Sequence, residues 1–312
     1  MVFGNRIIFK SLFNNALDLT NIDHTSFRVI QLIFKYFINN RIMNFTIGTL
    51  SIAIFFLLLM SDVCGQGGGP NAEEYFRQAD IYRKNFKPDS AILYYEKASI
   101  EFQLLGKVDE FVNSYNQIGI ILTRQDQYER AKNYLEKALN IGLSSLDSNL
   151  LSIATTYISL GVIFRAEGNF IQSLDYHYKA LTIRLQRLGE YNAEVATSYG
   201  NIGNVYISNK DFDQAIFAHT KAMDIRNKLF GPESAEIIES YAGLGNAFRE
   251  KKEYKRAIEY FEKALDNKIL QRGPGHKDLV KYQQYLSEVY YLSNNKEKGD
   301  YYKSLAEEIL KK

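Results

Sequence analysis

One spacing governs the chain: an aromatic residue, a small residue four positions on, a second aromatic or apolar residue three later, a small residue nine later, and alanine seven after that. It is written out in full as Tyr199, Gly203, Tyr206, Ala215 and Ala222. A step of 42 residues forward gives Tyr241, Gly245, Phe248, Ala257 and Ala264, and the same step back gives Tyr157, Gly161, Phe164, Ser173 and Ala180. A further step back gives Tyr115, Gly119, Leu122, Ala131 and Ala138, and a copy 40 residues earlier reads Tyr75, Ala79, Tyr82, Ala91 and Ala98. Copies in fixed register mean that one supersecondary unit is repeated, and that each unit finishes its core on its neighbour.

With the leading aromatic numbered as position 4, positions 4, 7, 8 and 11 share one face of a first helix, and positions 20, 24 and 27 share one face of a second. Small residues at 8 and 20 let two backbones approach, and the aromatics at 4 and 11 fill the flanks. The pairs at 7 and 8 are Ile118-Gly119, Leu160-Gly161, Ile202-Gly203 and Leu244-Gly245. This pattern resembles the tetratricopeptide repeat, with Tyr in place of that family's usual Trp at position 4. The resemblance implies an all-helical, right-handed superhelical solenoid of about six helix-turn-helix repeats.

The step is longer than the family's usual one, and Gly189, Gly231 and Gly273 recur inside the extra length. A glycine there ends a long second helix, and acidic residues follow in the next first turn. The combination is similar to the kinesin-light-chain type of array, and to arrays in bacterial sensor kinases and in proteins carrying a caspase-like domain. The array is expected over residues 72–312, with repeat cores at about 72–105, 112–145, 154–187, 196–229, 238–271 and 280–312. Asn71-Ala72-Glu73-Glu74 is an opening cap, and the charged segment KEKGDYYKSLAEEILKK is a solvated closing helix.

Residues 1–65 are of another kind. FTIGTLSIAIFFLLLM at 45–60 is the one long apolar run. It is short of the ~20 residues that span a bilayer and close to the apolar core of a secretory signal. Val63 and Gly65 suit a cleavage site that leaves Gln66 at the new N-terminus. A start at Met43 gives a signal without basic residues, whereas a start at Met1 places Arg28, Lys35 and Arg41 before the run, as in a retained anchor. Ser61-Asp62-Val63 does not supply the apolar residue that lipidation of Cys64 requires. The expected layout is a leader over 1–42, a signal peptide or anchor over 43–65 and a flexible link over 66–71. The repeats are then exported, to the periplasm or the extracellular space, or held outside the cytoplasm by attachment to the membrane through residues 45–60.

Residues 1–65 hold five Lys or Arg and three acids, and the remainder balances at 33 of each, so the pI of 8.3 comes from the leader. The array therefore has no electrostatic reason to bind nucleic acid. Cys64 is the one cysteine, so thiol and disulfide chemistry are not expected of the array.

No metal, cofactor or catalytic constellation is read in the repeats. His177 and His219 stand 42 residues apart at position 24, an aromatic core position, and are expected to pack between helices; His24 and His276 share no such register. Gly65-Gln66-Gly67-Gly68-Gly69-Pro70 follows no strand and lacks the Lys-Ser/Thr of a phosphate loop. No Ser sits in a nucleophile elbow, and the chain is read as a non-enzyme. In the resembled family, positions 2, 5, 9, 12 and 13 line a concave groove; here they include Asn113, Asn116, Thr123, Arg124, Arg165, Asn204, Asn246, Arg249 and Glu250. Asn amides both donate and accept, so a row of them suits the backbone of an extended peptide. The family's carboxylate clamp is not reproduced, because Gly200 and Ala242 occupy position 5. The expected partner is a peptide or protein bound in that groove. The alternative is a sensory module signalling through a retained anchor.

Overall fold

The computed structural model describes residues 71–145 and 150–311. The apolar run at 45–60, the cleavage and lipidation candidates at 63–66, the glycine-rich link and His24 lie outside the described residues. What is described falls in one compact unit, Asn71–Lys312.

Among the described residues, twelve α-helices form six hairpins: α1 (Ala72–Lys84) with α2 (Pro88–Leu104), α3 (Val108–Arg124) with α4 (Tyr128–Leu143), α5 (Leu151–Ala166) with α6 (Phe170–Leu188), α7 (Ala193–Ser208) with α8 (Phe212–Phe230), α9 (Ile238–Glu250) with α10 (Tyr254–Arg272), and α11 (Val280–Leu292) with α12 (Lys296–Leu310). There is no strand among the described residues. The helices of a hairpin pack on each other, and each second helix packs on the first helix of the next hairpin. The result is a helical solenoid, as the repeat pattern requires.

Each hairpin is closed by one device. The residue after the first helix's C-cap takes a left-handed backbone, at Phe86, Asp126, Gly168, Lys210, Lys252 and Asn294. The next N–H then reaches back to a carbonyl near the helix end: Lys87 to Tyr82, Gln127 to Leu122, Asn169 to Phe164, Asp211 to Tyr206, Glu253 to Phe248 and Asn295 to Tyr290, all at 2.8–2.9 Å. This is the Schellman arrangement, and in every hairpin the accepting residue is position 11.

At the crossing, the missing side chains of position 8 are filled from position 24. A Cβ on Gly119 would meet Leu135, one on Gly161 would meet His177, one on Gly203 would meet His219, and one on Gly245 would meet Phe261. The third hairpin adds a hydrogen bond from the Ser173 hydroxyl to the Gly161 carbonyl at 2.7 Å. The sixth makes the same bond with the roles exchanged, Ser287 donating to Gly299 at 2.9 Å. Asn71 caps α1 through its side-chain oxygen, which accepts from the Glu74 N–H at 2.8 Å.

Gly189, Gly231 and Gly273 end α6, α8 and α10 with φ of 78°, 85° and 80°. The helices that follow do not all start alike. α7 begins in register at Ala193, capped by Asn192, whereas Ser234–Ile237 stays in bends and turns and α9 begins only at Ile238. A short 3-10 turn, Lys277–Leu279, precedes α11. Pro232 follows Gly231, and its carbonyl is held by the buried Asn267 amide at 2.7 Å, which fixes the loop away from the helical path.

Candidate partner-binding cleft

The nine groove candidates separate once their surroundings are known. Asn116 is fully buried: its amide donates to the Ser152 carbonyl at 2.8 Å and its oxygen accepts from the Thr156 hydroxyl at 2.8 Å. It ties α3 to α5, so its expected place on an open groove is corrected to a joint between hairpins. The Thr123 hydroxyl turns back to the Gly119 carbonyl at 2.7 Å. Asn113 donates to Asp109 on its own helix at 3.3 Å. Arg249 is shared between Glu250 and Glu288, at 2.9 and 2.8 Å. Arg124 is exposed and Arg165 half-buried at the ends of α3 and α5. Only Asn204 and Asn246 are brought to one place.

That place is a cleft of about 400 Å³ along the first helices of the last three hairpins. Thr197, Gly200, Asn201 and Asn204 come from α7, Glu239, Ala242, Gly243 and Asn246 from α9, and Lys281 and Tyr285 from α11; His219 and Arg226 of α8 form its floor. The cleft exists because position 5 carries Gly200 and Ala242, which project little or nothing into it.

His219 is 2 % exposed, and neither ring nitrogen has a hydrogen-bond partner among the described residues. Burial, helped by the Arg226 charge, pushes its pKa down to about 4, so the ring is neutral near pH 7. His177, one repeat earlier, is equally buried and is also pushed down to about 4, by burial and then by Arg165 and Arg184. The expectation that both rings pack in the core therefore holds. No cluster of three His, Cys, Asp or Glu side chains suited to a metal occurs among the described residues.

The pattern of positions did not bring forward Arg226, Lys281 or Thr197. Arg226 donates to the Ser240 hydroxyl at 2.6 Å and to that of Thr197 at 3.4 Å. Burial holds its pKa below the usual guanidinium range, with Glu239 acting in the opposite sense. Glu239 itself accepts from the Tyr282 hydroxyl at 3.2 Å and faces Lys281 at 3.5 Å. The signal that could have found Arg226 is the register of the repeat, since Arg184 and Ser198 stand 42 residues before Arg226 and Ser240 and make the same bond, at 3.0 Å.

Stacked hairpins with a polar cleft along their first helices define a helical repeat solenoid. A model of the tetratricopeptide repeat matches residues 110–186, 152–228 and 194–269, and a second model of the same repeat matches 72–99. The chain belongs to the tetratricopeptide repeat family. A comparison with curated proteins found no match. Among solved structures, the chain is similar to BtubC (BKLC) from P. vanneervenii, at 20% identity over 70% of this chain and 89% of that one, with a TM-score of 0.61. It is similar to a putative kinesin light chain of Podosopora anserina with nearly identical repeats, at 16% identity over 63% and 93%, with a TM-score of 0.55. It is also similar to the apo form of the quorum sensor NprR from B. thuringiensis, at 20% identity over 81% and 69%, with a TM-score of 0.64. At these identities the likeness is one of fold. No helix among the described residues is long and apolar enough to cross a membrane.

Proposed function

We propose that this protein is a non-enzymatic interaction scaffold that holds an extended peptide, or an extended segment of a partner protein, in the concave groove of its repeats. The observation that carries the reading is the convergence of Asn204 and Asn246, in the same register one repeat apart, on a single open cleft. Two amides at that spacing can each pair with a peptide unit, and neither has a side-chain hydrogen-bond partner among the described residues to give up. The binding region is thus the α7–α9–α11 surface. Asn113, Thr123, Arg124, Arg165 and Arg249 lie outside that cleft. We further propose that the apolar run at 45–60 directs the repeats out of the cytoplasm, as a cleaved signal or as an anchor.

The test is a crosslinked capture from the native host with the tagged full chain, run beside an Asn204→Ala/Asn246→Ala double variant, with the bait's own N-terminal peptide read in the same mass spectra. A partner that is lost with the double variant, and a bait beginning at Gln66, are expected. Capture that is indifferent to both substitutions would sink the groove assignment. A second reading, a sensory module signalling through a retained anchor, draws on Arg28, Lys35 and Arg41 preceding the apolar run. A bait that keeps residues 1–65 in the membrane fraction would favour it.

A further inference from the structure

Three successive junctions carry a cation near the end of one second helix and an acid in or just ahead of the first turn of the next first helix, each pair in the same register: Arg184 with Glu194, Arg226 with Glu236, and Lys268 with Asp278. The outer two are ion pairs, at 3.2 Å and 3.6 Å. The middle one is not formed. The late start of α9 leaves Glu236 on the exposed turn, and no carboxylate pairs with Arg226 among the described residues. Arg226 is nonetheless a half-buried guanidinium held in position by two hydroxyls, and it faces the cleft that opens at this junction.

Glu239 acts on Arg226 through space, but among the described residues no carboxylate makes the direct ion pair that the flanking junctions have, and half-burying a cation without one is costly unless something else supplies it. The only acid lining the cleft among the described residues, Glu239, is engaged by Lys281 and Tyr282, and Lys281 adds a second positive charge. The floor beside Arg226 is the His219 ring, 2 % exposed and with both nitrogens unpartnered among the described residues. The flanking junctions show which group fits such a cation: at both, it is a carboxylate.

We propose that Arg226 anchors a carboxylate of the bound peptide, with Lys281 beside it and the Asn204 and Asn246 amides taking the neighbouring backbone. This rests on the groove reading and narrows it to peptides carrying an acidic group. A side-chain carboxylate and a C-terminal one offer the same chemistry.

Three pools of random peptides of about ten residues separate the cases. One has free C-termini and no Asp or Glu, one has amidated C-termini and a single Asp or Glu, and one has amidated C-termini and no acid. Retention on the immobilised full chain in mild detergent is measured for the wild type, Arg226→Gln, Thr197→Asp and Arg184→Gln. Thr197→Asp leaves the guanidinium in place and offers it an internal carboxylate, so it tests the site without orphaning it.

The wild type is expected to retain one acidic pool over the neutral one by about tenfold, the worth of a charge-assisted bond, and the pool retained tells side chain from C-terminus. Both cleft variants should abolish that ratio, and Arg184→Gln should keep it. Equal retention of all pools would overturn the anchor and leave the groove standing. A preference that survives both cleft variants would overturn the assignment to Arg226. Retention of no pool would bring down the groove reading and the anchor together.

Discussion

A methyl group on Gly243 would lie 2.4 Å from Nδ1 of His219 on the preceding helix, closer than any real side chain sits. The ring is pinned on the other side as well, since a Cβ on Gly203 would lie 2.6 Å from its Nε2. Gly243→Ala should therefore overpack the joint between the fourth and fifth hairpins and lower stability by about 1–3 kcal/mol. Gly200, on α7, has nothing within 4 Å of its would-be Cβ. Gly200→Ala should instead raise stability by up to about 1 kcal/mol through helix propensity. Urea midpoints for the two variants, moving in opposite directions, check the packing.

The two buried imidazoles make stability depend on pH. Each has a folded pKa near 4 against 6.5 in the unfolded chain, so the unfolded state takes up the proton first. Their full contribution is present above about pH 6.5 and is lost as pH falls toward 4, on the order of 3 kcal/mol for each ring. Between pH 7 and 5 the carboxylates with lowered pKa, such as Glu73 and Glu253, add little, because their unfolded value is 4.5. Denaturation midpoints should fall across that window, and the fall should shrink in His177→Phe. An unchanged pH profile in that variant would show that the ring titrates normally.

Asn116 and Asn204 provide a matched contrast between a joint and a surface. Asn116→Ala removes a buried amide that satisfies both the Ser152 carbonyl and the Thr156 hydroxyl, and should cost about 1–3 kcal/mol. Asn204 is exposed, and Asn204→Ala should change stability by less than about 0.5 kcal/mol. Thermal melts of both variants decide the point; equal losses would mean that Asn204 is structural.

The hairpin turns hold a reserve of stability. Lys252 has φ of 67° and Lys210 has φ of 62°, in the position that Gly168 fills with φ of 78°. Relieving the left-handed strain, Lys252→Gly should stabilise by about 1 kcal/mol. Phe86, with φ of 56° and 94 % exposed, should respond in the same way to Phe86→Gly. Melting temperatures that fall in both variants would count against the turn geometry.

The parts of this architecture that depend on contact between two backbones were legible in the sequence. Only a small residue fits at the crossing, so Gly203 with Ala215 and Gly245 with Ala257 announce themselves, and Gly189, Gly231 and Gly273 mark helix ends by their left-handed backbone. The roles of polar side chains were less legible, because they depend on what the next hairpin presents. Asn116 is turned inward because Ser152 and Thr156 meet it, whereas position 5 is glycine or alanine at Gly200 and Ala242. The cleft was hidden for a similar reason. Its small position-5 residues, Gly200 and Ala242, signify little until the neighbouring hairpins are in place, and the unpaired Arg226 beside it goes with the late start of α9, where the Asn267 amide holds the Pro232 carbonyl from 35 residues away. A Pro behind Gly231 and Gly273 but not behind Gly189 is the trace of this in the sequence, and it separates the helix that starts in register from the two that do not.

The crossing of Gly161 with His177 is repeated so closely by Gly203 with His219 that the seam between the two helices of a hairpin is interchangeable. Excising residues 170–211 would join Asn169 to Phe212, replacing Phe170 with its register equivalent and setting His219 against Gly161 in place of His177. Duplicating the same stretch would lengthen the array by one unit. The extent of the partner surface is therefore open to change by recombination in whole units, with no core to redesign.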